Sequence, residues 1–116
     1  MLVADDNKDA ADSLALLLGF HGHEVCVVAD GQQAVDAVAT FKPDIVLLDI
    51  GMPRLNGYDV ARQLRSRAEL AHVRLIALTG WGQPRDRARA FDAGFDVHLT
   101  KPLEFDCLLR ELARHA

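Results

Sequence analysis

Pro43-Asp44-Ile45-Val46-Leu47-Leu48-Asp49 is the stretch that decides the fold. Four consecutive large apolar residues run directly into a carboxylate, and Ile50-Gly51-Met52-Pro53 follows at once. An apolar run without polar alternation predicts a strand covered on both faces, as in a parallel sheet flanked by helices. Ligands of such sheets bind beyond the carboxyl ends of the strands, and Asp49 stands at that end. The acid is therefore either a turn residue or a reactive group.

Length, charge and cysteine content restrict the class of protein. The 116 residues predict one domain, over residues 1–116, with a sizeable core. A formal net charge of −4 argues against direct binding to nucleic acid or to an anionic membrane surface. No segment approaches the ~20 apolar residues of a membrane span. We expect a cytoplasmic domain, with two buried free thiols at Cys26 and Cys107.

Four further apolar runs alternate with amphipathic segments along the chain. Besides the central run, strands are predicted at residues 2–4, 24–28, 73–78 and 97–99. The first helix is expected to begin at Asn7 or Asp9 and to carry Ala10, Leu14, Leu17 and Leu18 on one face. Later helices are predicted around 34–41, 57–67, 85–93 and from 105 onward. Strict alternation of strand and helix predicts parallel strands joined by right-handed crossovers, which is an α/β doubly wound sandwich.

Parallel strands bring their carboxyl ends to one edge of the sheet. The polar residues at those ends are Asp5 and Asp6, Asp49, Thr79 and Lys101. Each has an ordinary interpretation by itself, such as a helix cap or a surface charge, and only their convergence favours a site. Crowded carboxylates repel one another and need a cation, and an all-oxygen site with few ligands favours Mg²⁺. The lysine and the hydroxyl complete a pocket for a tetrahedral anion.

Together these motifs resemble the receiver domain of two-component response regulators over essentially the whole chain. The motifs in that family's order and approximate spacing are Asp5-Asp6-Asn7, Asp49 with Met52-Pro53 and Gly57, Ala77-Leu78-Thr79-Gly80, and Thr100-Lys101-Pro102. The resemblance implies a flavodoxin-like sandwich of five parallel strands in the order 2-1-3-4-5 with five helices. Two segments, residues 79–83 and 94–98, resemble receivers attached to hybrid sensor histidine kinases, and this resemblance implies a domain that stands alone or is the cytoplasmic part of a larger membrane-bound sensor.

The same resemblance implies the acceptor and the metal ligands. Asp49 would take a phosphoryl group from a phosphohistidine of a histidine kinase or a histidine phosphotransfer protein. Asp6 and Asp49 would bind Mg²⁺ (or Mn²⁺) directly, with the backbone carbonyl of Gly51 as a third ligand. Asp5 would act largely through water.

The resemblance also implies how the phosphoryl group is held and sensed. Lys101 would pair with Asp49 before phosphorylation and with a phosphoryl oxygen afterwards, and a cis bond between Lys101 and Pro102 would aim it into the pocket. Thr79 would hydrogen-bond the phosphoryl group and relay its arrival. His98 stands where the family often has a Tyr or Phe that swings inward, and a histidine titrates near neutral pH.

The predicted function is a signalling switch and not a classical enzyme. Its chemistry would be limited to its own phosphorylation and dephosphorylation, and a partner or an attached domain would read the change. A dimer through the fourth helix, fifth strand and fifth helix is a further option within the family.

Three alternative functions fit the sequence less well. A phosphohydrolase of the haloacid-dehalogenase type needs a second acid two residues after Asp49, where Gly51 stands. A nucleotide- or flavin-binding module would need a GxGxxG motif or a P-loop. After Gly80-Trp81-Gly82, Arg85 stands where the third glycine of the first motif is required, and the sequence contains no P-loop. A degenerate receiver that only binds partners would not need an intact site.

Overall fold

The computed structural model describes residues 1–50, 56–80, 84–101 and 104–115. The strands within these ranges are β1 (Leu2–Ala4), β2 (Cys26–Val28), β3 (Ile45–Asp49), β4 (Arg74–Thr79) and β5 (Val97–Thr100). The α-helices that alternate with them are α1 (Lys8–Phe20), α2 (Gly31–Phe41), α3 (Gly57–Arg65), α4 (Pro84–Ala93) and α5 (Phe105–His115). A short 3-10 helix, Ala68–Leu70, follows α3. In the part of the chain described, each helix is too short or too polar to traverse a bilayer.

The strands form one parallel sheet in the order β2-β1-β3-β4-β5. The α/β class and the strand order implied by the resemblance are both confirmed. β3 lies at the centre, with Leu48 registered on Ala4 of β1 and Asp49 registered on Leu78 of β4. Asp49 therefore ends the central strand, between the ends of two neighbouring strands.

The two faces of β3 explain its unbroken apolar run. Val46 and Leu48 belong to a core that includes residues of α2, α3 and α4, whereas Ile45 and Leu47 belong to a second core with α1 and α5. All five residues of the strand are buried. Since helices cover both faces, polar alternation along the strand is not needed, and the prediction of a doubly covered strand is confirmed.

Side-chain caps set where two helices begin near the carboxyl edge of the sheet. Asn7 caps α1 by accepting the Ala10 N–H at 3.1 Å, so Asn7 and not Asp9 is the cap. Asn56 caps α3 by accepting the Asp59 N–H at 3.0 Å. Each cap satisfies an N–H that would otherwise have no partner in the first turn of its helix.

The second strand is shorter than predicted. It begins at Cys26 and not at Glu24, with Cys26 registered on Leu2 of β1. The Glu24 carbonyl accepts a hydrogen bond from the Met1 amino group at 2.8 Å, so it is bonded outside the ladder of the sheet. Cys26 and Cys107 form no disulfide, as predicted, but both are half-buried and not fully buried.

The buried face of α1 also differs from the prediction. Ala11 and Leu18 are the buried residues of this helix, while Ala10 is exposed and Leu17 is 44 % exposed. Ala11 and Leu18 are seven residues apart, which is two helical turns, so they define the centre of the buried stripe. Leu17 lies at the edge of this stripe, where solvent reaches it.

Candidate functional site

Four strands bring the predicted polar residues to one edge of the sheet. Asp5 and Asp6 follow β1 directly, Asp49 ends β3, Thr79 ends β4, and Lys101 follows β5. Asp5, Asp49 and Thr79 are buried, whereas Asp6 and Lys101 are exposed. The result is a site with a buried floor and a side that opens to solvent.

The three acids form a compact cluster. One carboxylate oxygen from each of Asp5, Asp6 and Asp49 lies within 4.8 Å of the other two. This proximity follows from the sheet, because β1 and β3 are adjacent and end at the same level. Three converging carboxylates supply the hard oxygen ligands that Mg²⁺ prefers, so the donor set fits such an ion.

Asp5 is held within the site and does not serve as a helix cap. The Asn7 N–H donates to its Oδ1 at 2.9 Å, and the Asp5 N–H donates to the Val28 carbonyl at 3.1 Å. Burial raises the pKa of the Asp5 carboxyl, the Asn7 N–H opposes the rise, and the Asp49 carboxylate adds to it. The ionised form of a buried acid beside another acid is therefore disfavoured, and a bound cation would stabilise that form.

Lys101 supplies positive charge to the cluster. Its Nζ donates to Asp49 Oδ2 at 3.0 Å, and its backbone N–H donates to the Thr79 carbonyl at 2.8 Å. Partial burial alone would lower the pKa of the ammonium group, but the hydrogen bond and charge of Asp49 outweigh it, with help from Asp5 and Asp6. The pKa of Lys101 is therefore raised. The ammonium stays protonated at neutral pH and offsets part of the acidic charge.

Thr79 and His98 occupy different levels of the sheet. Leu78 is registered on Asp49, so Thr79 lies one residue beyond the acid on the adjacent strand, and it is 1 % exposed. His98 is half-buried and registered on Ala77, two residues before Thr79. Thr79 thus belongs to the site edge, whereas His98 lies further down the sheet on the neighbouring strand.

Gly57 supports the site, a role that the presence of a glycine alone did not predict. A Cβ atom at this position would lie 2.8 Å from Ile50 Cα and 3.2 Å from the Asp49 carbonyl oxygen. The Gly57 N–H also donates to the Ile50 carbonyl at 3.0 Å. The start of α3 therefore packs directly on the backbone that follows the central acid, and only glycine fits. In the sequence, the signal for this supporting role is that Gly57 is one of the residues that carry the resemblance to receiver domains.

Several predicted features lie outside the described residues. These are the metal-binding carbonyl of Gly51, the neighbouring Met52-Pro53, the segment from Trp81 to Gln83, and the peptide bond to Pro102. The roles implied for them stay predictions.

Comparison with known proteins places the chain in a family. A family model described as the response regulator receiver domain matches residues 1–113. Response regulator MprA of Mycolicibacterium vanbaalenii is 38% identical over 112 residues, an alignment that covers 97% of this chain and 48% of the relative. The chain thus spans about half the length of the curated relatives it matches.

Solved structures give the same family. The signal receiver domain of a signal transduction histidine kinase from Syntrophus aciditrophicus is 30% identical with a TM-score of 0.90, covering 98% of this chain and 86% of that chain. The receiver domain of Francisella response regulator 1452 is 27% identical with a TM-score of 0.91, covering 98% and 93%. A parallel sheet in the order 2-1-3-4-5, acids and a lysine at its carboxyl edge, and these matches lead to one conclusion: the chain belongs to the response regulator receiver domain family.

Proposed function

We propose that this receiver domain is a phosphoacceptor switch of a two-component system, with Asp49 as the residue that is phosphorylated. The observation that carries the proposal is the surroundings of Asp49. Its carboxylate is 3.0 Å from the Lys101 ammonium and within 4.8 Å of the Asp5 and Asp6 carboxylates. An acid held only as a turn residue would not need a lysine and two further acids from two other strand ends.

The partner that fits this site is a phosphohistidine, on a histidine kinase or on a histidine phosphotransfer protein. An Asp49 oxygen attacks phosphorus, a P–O bond forms, and the P–N bond to the imidazole breaks. The departing imidazole nitrogen takes a proton from solvent, and the product is an acyl phosphate on Asp49. Asp6 and Lys101 are exposed, so the phosphohistidine donor can reach the site from the side on which they lie.

Lys101 and Thr79 then act on the charge that arrives. Phosphoryl transfer depends mainly on positioning and on neutralising negative charge at the phosphoryl oxygens. Lys101 already contacts the attacking carboxylate, so a small movement of its ammonium transfers the contact to a phosphoryl oxygen. Thr79 ends β4, the strand adjacent to β3, one residue beyond the level of Asp49, and its hydroxyl is the group that we assign to hydrogen-bond the phosphoryl group.

The acidic cluster also fits Mg²⁺ or Mn²⁺. Asp6 and Asp49 would hold the ion directly, Asp5 largely through water, and Gly51 through its backbone carbonyl. Bound there, the ion would supply charge neutralisation at the phosphoryl oxygens. The proposal is supported by the excess of acids, because three carboxylates face one lysine within the described site.

The output is read by a partner or by an attached domain. A phosphoryl group brings about two negative charges and strong acceptor oxygens to the ends of β4 and β5, which is enough to bias a two-state element. Thr79 and His98 are the proposed relay, and a dimer through α4, β5 and α5 is one route for the output. The domain is not a classical enzyme, and we place it in the cytoplasm.

Intact-mass analysis after incubation with acetyl phosphate and Mg²⁺ tests the proposal. We expect one labile adduct with the mass of a phosphoryl group, dependent on the metal and absent in Asp49→Asn. Asp36→Asn, an exposed acid on α2, is the matched control and should be phosphorylated like the wild type. A wild type that stays unmodified with acetyl phosphate and with a phosphohistidine donor would rule the proposal out.

A further inference from the structure

Asp96, immediately before β5, fixes that strand on β4. Its N–H donates to the Leu75 carbonyl at 2.8 Å, and its Oδ2 accepts the Leu75 N–H at 2.9 Å. Both backbone groups of one β4 residue are thereby bonded to one residue of the β5 segment. From this point the register runs from Ile76 on Val97 to Thr79 on Thr100. Asp96 thus sets where β5 begins relative to its neighbour.

Arg65, the last residue of α3, holds Asp96 and the turn before it. Its guanidinium donates from Nη2 to Asp96 Oδ2 at 2.7 Å, from Nε to the Gly94 carbonyl at 2.9 Å, and from Nη1 to the Leu70 carbonyl at 3.2 Å. The Arg65 side chain is 22 % exposed and the Asp96 side chain 42 %, so the contact depends on three simultaneous hydrogen bonds of Arg65 rather than on a buried ion pair.

Gly94 gives this contact its close fit. The glycine has φ +114, and a Cβ atom there would lie 2.5 Å from Arg65 Cγ. Any other residue would be strained and would push the arginine away. The arginine, the glycine and Asp96 therefore form one unit, which we call the Arg65–Asp96 clamp (Arg65, Gly94 and Asp96).

The clamp lies at the opposite end of β5 from Lys101. β5 is only four residues long and is the edge strand of the sheet, so few ladder bonds hold it. At its far end, the Lys101 N–H donates to the Thr79 carbonyl, and the Lys101 side chain reaches Asp49. A displacement of the strand along β4 would carry Lys101 with it, by about 3.3 Å for each residue of slip.

α3, the helix that ends at Arg65, also contacts the end of β3, the strand that carries Asp49. α3 begins at Gly57, which packs on the backbone of Asp49 and Ile50, and it ends at Arg65. α3 therefore extends from the backbone of Asp49 and Ile50, which its first residue contacts, to the Arg65–Asp96 clamp, which its last residue joins.

We infer that Arg65 and Asp96 are positioning residues for phosphoryl transfer, which fix the register of β5 and thereby the distance between Lys101 and Asp49. This role rests on the proposed function of Asp49 and Lys101. Through this role, an ion pair at the amino edge of the sheet would act on chemistry at the carboxyl edge.

Arg65→Met and Asp96→Asn test the inference, with Arg62→Met as the matched control. Arg62 lies on the same helix and loses the same charge, but it pairs with Asp59 of its own helix at 3.2 Å. Asp96→Asn keeps an oxygen for the Leu75 N–H and loses the charge, so it serves if Arg65→Met does not fold.

The first measurement is amide hydrogen exchange at Lys101, which needs no phosphorylation. We expect the Lys101 amide to exchange roughly tenfold faster in Arg65→Met and Asp96→Asn, and at the wild-type rate in Arg62→Met. Wild-type exchange in every variant would overturn the inference. Since this result is independent of any phosphoryl chemistry, it decides the role of the clamp in β5 even if Asp49 proves not to be the acceptor.

The second measurement is the rate of Asp49 phosphorylation by acetyl phosphate in the wild type, Arg65→Met, Lys101→Met and the double variant. We expect Arg65→Met to lower the maximal rate about tenfold with little change in the half-saturating concentration. In the Lys101→Met background the same substitution should have no further effect, because the clamp acts through Lys101. An equal loss in both backgrounds would overturn the positioning role, and absence of phosphorylation in the wild type would instead refute the proposed function.

Discussion

Replacing Asp5 with Asn should stabilise the metal-free protein while weakening the proposed metal site. Asp5 and Asp49 are 7% and 6% exposed, and their carboxylate oxygens lie within 4.8 Å of each other. The substitution removes one charge and keeps an oxygen that can accept the Asn7 N–H, which now donates to the carboxylate at 2.9 Å. Stability and function should therefore change in opposite directions, as is common at binding sites.

The repulsion between the two carboxylates sets the size of this effect. Two unit charges 4.8 Å apart repel by about 3 kcal/mol at an effective dielectric constant of roughly 20. Part of this repulsion is offset because the Lys101 ammonium attracts the Asp5 carboxylate. We expect a net gain of about 1 kcal/mol in the free energy of unfolding, or roughly 4 °C in melting temperature.

The gain should depend on pH in a defined direction. Burial is the main cause that raises the pKa of Asp5, so the folded protein keeps a proton that the unfolded chain has released. Stability from this proton is fully present below the ordinary value of 3.8 and is lost as pH rises through the folded pKa. The advantage of Asp5→Asn over the wild type should therefore be small in acid and complete at neutral pH.

Thermal unfolding followed by circular dichroism, in EDTA and in Mg²⁺, measures both effects. Asp12→Asn, an exposed acid on α1, is the control for the change in net charge. In EDTA the Asp5 variant should melt above both the wild type and the control, and Mg²⁺ should raise its melting temperature less. A lower melting temperature in EDTA, or equal stabilisation of all three proteins by Mg²⁺, would refute the reasoning.

Two further substitutions test the support of the site and its readout. Gly57→Ala should lower the free energy of unfolding by about 2 kcal/mol in urea titrations, because its Cβ would meet Ile50 Cα at 2.8 Å. Gly19→Ala, a helical position with nothing within 4 Å, should leave stability unchanged or raise it, and equal losses at both positions would contradict the steric argument. His98→Phe should leave phosphorylation intact and alter the conformational response, and identical NMR shift changes on phosphorylation in both forms would exclude a role for His98.

The central strand and the site edge could be predicted because their signals are local. Ile45 to Leu48 is apolar without alternation, and this pattern favours a strand that is covered on both faces. Once the strands are parallel, Asp5, Asp49 and Lys101 must end at one edge whatever the details of packing. A carboxylate oxygen of Asp5 lies within 4.8 Å of one of Asp49, and Lys101 Nζ lies 3.0 Å from Asp49 Oδ2, in agreement with that expectation.

Features that depend on contacts between distant segments could not be predicted. The first residue of β2, Cys26, is paired with Leu2, 24 positions earlier, and nothing near Glu24 and Cys26 indicates this pairing. Arg65 and Asp96 are 31 residues apart and resemble ordinary surface charges in the sequence. Only the fold brings the end of α3 to the start of β5 and shows that the arginine also bonds the Gly94 carbonyl.

Chemical mapping of the phosphorylated residue tests the central claim most directly. Borohydride reduces an acyl phosphate to an alcohol, so a phosphorylated aspartate becomes homoserine and is located by peptide mass spectrometry. After treatment with acetyl phosphate and Mg²⁺, we predict homoserine at position 49 and nowhere else. Homoserine at position 5 or 6 instead, or an adduct that survives in Asp49→Asn, would contradict the assignment of Asp49 as the phosphoacceptor.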